Sequence, residues 1–180
     1  MQPDYEAHAL EQLGAGDADF AIVTSAVLPY GSGFRYWNPD WQADEIGVQN
    51  MVLVAGALHP LAGKPHISAN DLLAHDFACP KHSPFCGQAQ GDFSDGWHSA
   101  APARKIRYWS NDLHILLAWV QSGRALAYLP EAVAQSAALV RLNLLDCPFA
   151  CTEKIYLVHQ SSAAHGWHQV VRDLIVRGGL

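Results

Sequence analysis

Three short stretches hold the side chains of this chain best suited to chemistry. Thr24 and Ser25 directly follow the apolar run "FAIV". "CPKHSPFC" sets Pro80, Lys81, His82 and Ser83 between Cys79 and Cys86. "YWSNDLHILL" places Ser110, Asn111 and Asp112 between an alternating run and a helix-periodic one. Hydroxyls, an amide, an ammonium and an imidazole suit the grip on a small polar molecule, and Lys81 with His82 suits an anion. Each stretch also has a plain structural reading. Thr24 and Ser25 could satisfy turn backbone, "CPKHSPFC" could be a charged surface loop, and Ser110 could simply cap a helix. Tyr128 ends another apolar run, where its ring and hydroxyl could meet a ligand or be absorbed in a core.

The same residues argue against catalysis. There is no Gly-rich phosphate loop, no G-x-S-x-G, no H-E-x-x-H and no convincing carboxylate pair. Cys79 and Cys86 are spaced closely enough for a disulfide. A redox-sensing thiol needs a lowered pKa, however, and only Lys81 and His82 stand nearby to lower it. Cys147, Cys151 and His159 fit no zinc spacing. No enzyme, metal or cofactor is therefore expected.

These residues need a scaffold. "DYEAHALEQL" (4–13) reads as a helix with Gly14 as its stop, and "FAIVT" (20–24) as a buried strand. A Gly, Pro and aromatic-rich loop spans 26–41, followed by a strand at 49–56, a helix at 69–75 and a short strand at 76–80. Residues 81–103 read as irregular. "KIRYW" (105–109) is a strand, and Ser110 fits an N-cap with Asp112 in the first turn. Leu113, Leu116, Leu117 and Val120 keep helical spacing up to Gly123. Strand 125–130, a short helix, a brief strand, strand 154–160 and helix 165–178 complete the series. Alternating strands and helices define an α/β class with largely parallel sheet. Ligands bind such sheets at the carboxyl ends of strands. A helix starting at Ser110 would offer free N–H groups there to a carboxylate, with the Ser110 hydroxyl as a further donor.

Composition agrees. In 180 residues, half are hydrophobic, 16% are charged and the net charge is −6. That suits a packed core and excludes disorder. Eleven basic residues against seventeen acidic ones speak against tight DNA binding by this chain alone. No apolar run is long enough for a transmembrane helix, and no signal-peptide pattern opens the chain. A cytoplasmic location with reduced thiols follows as the expectation.

Five segments in register carry a resemblance: "LEQLGAGDADFAIVT", "MVLVAGALHPLAG", "ISANDLLAHDFACP", "WSNDLHILLAWVQSGRALAYLPEAVA" and "LVRLNL". Together they resemble the effector-binding domain of LysR-type transcriptional regulators, over essentially the whole chain. The resemblance implies a two-lobed fold like type 2 periplasmic binding proteins, with mixed, largely parallel sheets. The first lobe would take 1–77 plus 156–180 and the second 78–155. Relative to the family pattern, an opening strand, helix and strand are missing, so the expected fold is N-terminally truncated. The resemblance further implies a small-molecule effector between the lobes, near Thr24, Ser25, Pro80, Lys81, His82, Ser83, Ser110, Asn111 and Tyr128. It also implies homo-oligomers (dimer or tetramer) and DNA binding only through a helix-turn-helix that these residues lack. The alternatives are a solute-binding protein of similar fold and a regulator of the same family that senses redox through Cys79 and Cys86.

Overall fold

In a computed structural model the described residues are 6–24, 37–84, 89, 91–97, 103–145, 151–161 and 166–178. The element order is α1 (Glu6–Ala15), β1 (Phe20–Thr24), β2 (Trp41–Ala55), α2 (Ala69–Leu73), β3 (Asp76–Cys79) and a short 3₁₀ helix (Gly91–Phe93). It continues with β4 (Lys105–Trp109), α3 (Leu113–Gln121), β5 (Ala127–Pro130), α4 (Glu131–Ser136), β6 (Val140–Arg141), β7 (Thr152–Gln160) and α5 (Trp167–Gly178). The chain forms two compact units. The first takes Met1–Gln49 and Glu153–Leu180, the second Asn50–Pro84 and Gln88–Thr152, and 85–87 lie outside the described residues.

The unit boundary differs from the expected one. Residues 50–77 belong with the second unit rather than the first, and 153–155 with the first. The cause is strand pairing. The second half of β2 pairs antiparallel with β5, from Met51↔Pro130 to Val54↔Ala127, and with β6. Both partners are strands of the second unit. β2 also begins eight residues earlier than its apolar run. Its first half carries Asp44 and Glu45 and alternates with partly exposed positions, so it shows no apolar block.

The sheets are mixed, with less parallel pairing than the apolar runs suggest. Among the described residues, parallel pairing is confined to β3–β4 and two isolated bridges. β1–β7, β2–β5 and β2–β6 are antiparallel. An apolar run reports burial on both faces, and burial does not depend on strand direction.

In the first unit Leu10 and Leu13 of α1 are fully buried against Ala21 and Val23 of β1, Trp41 of β2 and Val158 of β7. Each such leucine contributes roughly 1.5–3 kcal/mol by leaving water. α1 ends one half-turn later than the Gly14 signal. Gly16 takes φ +80°, and the Gly16 and Asp17 amides donate to the Leu13 and Gln12 carbonyls. This is the paired 5→2 and 6→1 ending that favours glycine.

The second unit packs α3 and α4 on β2, β3 and β5 through Val54, Ala78, Leu116, Val120, Ala127 and Ala134. The helix–strand approach is close. A Cβ on Gly56 would stand 2.3 Å from the Val120 carbonyl oxygen. α3 stops as expected at Gly123, with φ +73° and the Arg124 amide returning to the Trp119 carbonyl. "HPLA" is a turn: the Leu61 amide donates to Nδ1 of buried His59 at 3.1 Å. Ser68 and Asp71 form a capping box that starts α2.

Candidate functional site

β3 and β4 run parallel and end level, with Cys79 opposite Trp109. The chain leaves β3 through Pro80, Lys81, His82 and Ser83, and leaves β4 through Ser110, Asn111 and Asp112. Two side-chain contacts clasp these loops. The Asn111 side-chain oxygen Oδ1 accepts the His82 amide at 3.0 Å, and its Nδ2 meets His82 Nδ1 at 2.6 Å. The Ser110 amide donates to the Cys79 carbonyl at 3.2 Å. Lys81 offers its carbonyl to the Ser94 hydroxyl at 3.2 Å, while its side chain is exposed. Ser83 is buried at 2% exposure and Pro80 half-buried. Six of the expected residues, Pro80 to Ser83 with Ser110 and Asn111, therefore converge on one pair of strand ends.

The helix that follows is not the anion site its sequence suggests. The N-cap of α3 is Asp112, not Ser110. The Asp112 carboxylate accepts the His114 amide at 2.8 Å and the Ile115 amide at 3.3 Å. A carboxylate already complements the dipole there. The Ser110 hydroxyl instead accepts the Asp112 amide at 3.0 Å. With that cap taken, the fixed positive charge on these loops is the exposed Lys81 side chain.

A buried ion pair supports the loops from beneath. Arg104 donates through Nη1 and Nη2 to the Asp95 carboxylate at 2.7 and 2.6 Å, with both side chains 1% exposed. Nη2 also donates to the Asp92 carbonyl at 2.7 Å, and the guanidinium lies over the Trp97 ring at 4.7 Å. The guanidinium also approaches Cys79 Sγ at 3.8 Å. Sequence reasoning missed this pair, because Asp95 sits in a Gly- and Ser-rich stretch that reads as irregular. The one available signal was an arginine immediately before β4.

Cys79 is a free, buried thiol. Burial, and after it the charge of Asp95, pushes its pKa up to about 12. A redox-sensing thiol needs the opposite environment. Its expected partner Cys86 lies outside the described residues. Tyr128 is 7% exposed; its oxygen accepts the Cys151 amide at 2.9 Å, and its ring stands edge-on to Trp97 at 5.5 Å. That is the duty of a core tyrosine.

Thr24 closes β1 in the first unit and is buried. Its hydroxyl donates to the Glu6 carboxylate at 3.0 Å. Burial, opposed by the hydrogen bonds from Thr24, lifts the Glu6 carboxyl to about 7. Sequence reasoning missed Glu6, whose place in a short amphipathic helix looks ordinary. Ser25 lies outside the described residues. Among the described residues no group of His, Cys, Asp or Glu could hold a metal ion, and no helix is long and apolar enough to cross a membrane.

An α/β chain with mixed sheets, two compact units and polar loops clasped at parallel strand ends has the architecture of periplasmic-binding-protein-like domains. The family model of the LysR substrate binding domain matches residues 1–176, and the chain belongs to that family. No curated protein matches it. Among solved structures it is similar to the regulatory domain of CcmR from Synechocystis PCC6803 in complex with 2-PG. That match has TM-score 0.69 and 15% identity, covering 97% of this chain and 80% of that one. It is similar also to the C-terminal domain of a probable LysR family transcriptional regulator from Rhodococcus sp. RHA1, with TM-score 0.64, 20% identity and the same coverage. A full-length OxyR variant from Pseudomonas aeruginosa matches with TM-score 0.68 and 16% identity, over 97% of this chain and 52% of that one. At these identities the likeness is one of fold.

Proposed function

We propose that this chain is the non-catalytic sensing domain of a LysR-type transcriptional regulator, and that it binds a small anionic effector at the carboxyl ends of β3 and β4. The observation that carries this reading is the Asn111–His82 clasp. It holds two loops in register over adjacent parallel strand ends, the place where α/β sheets take ligands. Lys81 supplies the positive charge. In the intact regulator, a helix-turn-helix outside these residues would bind DNA, in an oligomer located in the cytoplasm. The burial of Cys79 lends no support to the redox alternative.

Isothermal calorimetry against small carboxylates and phosphate esters, 2-PG included, tests the reading. Asn111→Ala should weaken the binding of any effector found by tenfold or more, since it frees both loops. Lys81→Gln should weaken anionic effectors selectively. An effector that binds both variants with unchanged affinity would place the site elsewhere.

A further inference from the structure

In the second unit, the turn after β2 is built around a histidine. His59 is 5% exposed, and its ring Nδ1 accepts the Leu61 amide at 3.1 Å. The His59 amide donates to the Gly56 carbonyl, and the His59 carbonyl accepts the Ala62 amide, both at 2.9 Å. The turn has little slack against the end of α3. A Cβ on Gly123 would stand 3.2 Å from the His59 backbone nitrogen. The His59 ring also meets the His75 ring edge-on, with centroids 4.6 Å apart. His75 is half-buried and stands between α2 and β3. The two rings therefore join the turn to the entry of β3.

We propose that the His59–His75 pair is a proton-operated latch. With the His59 ring neutral the turn is closed, and a proton taken up by that ring releases both the turn and the entry to β3. Three observations point to this. The Leu61 amide is a donor, so His59 Nδ1 must be bare and the proton of the ring sits on Nε2. A proton added to Nδ1 would set two donors face to face and abolish the bond. The ring is also enclosed. Burial, and after it the charge of His75, holds the His59 pKa below its ordinary 6.5. Finally, the carboxylates of α2 and β3 are already engaged. Asp71 is held by Lys64 and the Ser68 hydroxyl, and Asp76 by Lys105 and Arg107. Of the other charged or titratable groups on the surrounding segments, Arg141 of β6 pairs with Glu131, while exposed His66 and Arg124 are not acidic. The last carbonyls of α3 already accept the Ser122, Gly123 and Arg124 amides. The pair shares no residue with the candidate effector site, so the latch and that reading stand or fall separately.

Histidine-resolved NMR of the full chain, from about pH 8 down to about pH 4.5, tests it. At the alkaline end, the ring nitrogen shifts should show His59 with a bare Nδ1 and a proton on Nε2. As pH falls, the His59 ring should titrate with a midpoint below 6.5, and the Leu61 amide should lose its hydrogen-bonded shift at the same midpoint. Between 6.5 and that midpoint, exchange of the Leu61 amide, corrected for its intrinsic rate, should quicken about tenfold per pH unit, the slope for uptake of one proton. Glu6 acts in the opposite sense over this range, so it does not imitate that slope. His59→Asn, whose Oδ1 can accept the same amide without titrating, should abolish the slope. His75→Phe keeps a ring in place and should raise the His59 midpoint. The titration of the unaltered chain decides the matter even if either variant folds poorly. A proton on His59 Nδ1 at the alkaline end, a His59 ring that takes up no proton across the range, a Leu61 amide that stays protected while His59 titrates, or a slope that persists in His59→Asn would overturn the proposal.

Discussion

The two units bury charge in opposite ways. In the second, Arg104 and Asp95 are both enclosed and joined by two hydrogen bonds, with the guanidinium against the Phe77 and Trp97 rings. In the first, Glu6 is drawn into partial burial with the hydroxyl and backbone of Thr24 as its hydrogen-bonding partners, and among the described residues no cation pairs with it. A paired buried charge is inert until one partner is removed. A carboxyl without a countercharge yields to pH instead. The second unit should therefore be sensitive to mutation at its pair, and the first to conditions near neutrality.

The largest expected effect lies in the second unit. Asp95→Ala would leave the Arg104 guanidinium buried beside an apolar methyl. Stranding one partner of a buried pair costs on the order of 3–5 kcal/mol. Urea unfolding should show a midpoint shift of that size, and near-aromatic circular dichroism should change as Trp97 loses its neighbour. A shift under about 1 kcal/mol would mean that the pair is solvated, and the contrast between the units would fail.

The intermediate effect belongs to the first unit. The folded Glu6 carboxyl is lifted from 4.5 to about 7. A group whose folded pKa is raised contributes its stability fully below pH 4.5 and loses it as pH rises through 7. Glu6→Gln should flatten that loss and stabilise the chain at pH 8 by on the order of 1–2 kcal/mol, after allowance for partial solvent screening. Asp44 works in the opposite sense. The hydrogen bond from Arg172 holds its carboxyl below 3.8, so its contribution is present above that pH and fades as the solution becomes more acid. Thermal melts of wild type and Glu6→Gln from acid pH up to pH 9 would separate the two, since the Asp44 loss falls below pH 3.8 and the Glu6 loss above pH 4.5. Parallel curves would show that Glu6 is solvated.

The smallest effect sharpens the comparison by leaving both charge networks alone. Ala138 follows α4 with φ 52°, where the Leu139 amide returns to the Ala134 carbonyl. This ending suits glycine. Ala138→Gly should stabilise the second unit by about 0.5 kcal/mol, the relief of a left-handed alanine less the entropy of a freer unfolded chain. A chemical-denaturation midpoint that falls would show that the alanine methyl packs better than its backbone suffers.

How far the sequence could be read varied with the kind of evidence each residue carries. β4 was readable to the residue, because "KIRYW" alternates and is bounded by a basic and a polar neighbour. The end of α3 was readable because Gly123 is a local signal. Its start was misread. Ser110 and Asp112 are both good caps, and the choice between them depends on the Ser110 amide being held by Cys79 across the sheet. The front half of β2 was invisible, since Asp44 is tolerated in a strand only because Arg172 and His159, more than a hundred residues away, reach it.

The sequence by itself determined what local chemistry and periodicity can decide. That covers the alternation of helices and strands, the turn at "HPLA", the stop at Gly123 and the family to which these ordered motifs point. These signals act within a few residues, where backbone sterics and apolar spacing dominate. Only the tertiary structure decided strand direction, the boundary at Gln49, the pairing of Arg104 with Asp95 and the clasp of Asn111 on His82. Each of these joins residues distant in the chain. Their energies arise only once the polypeptide has folded back and excluded water between them.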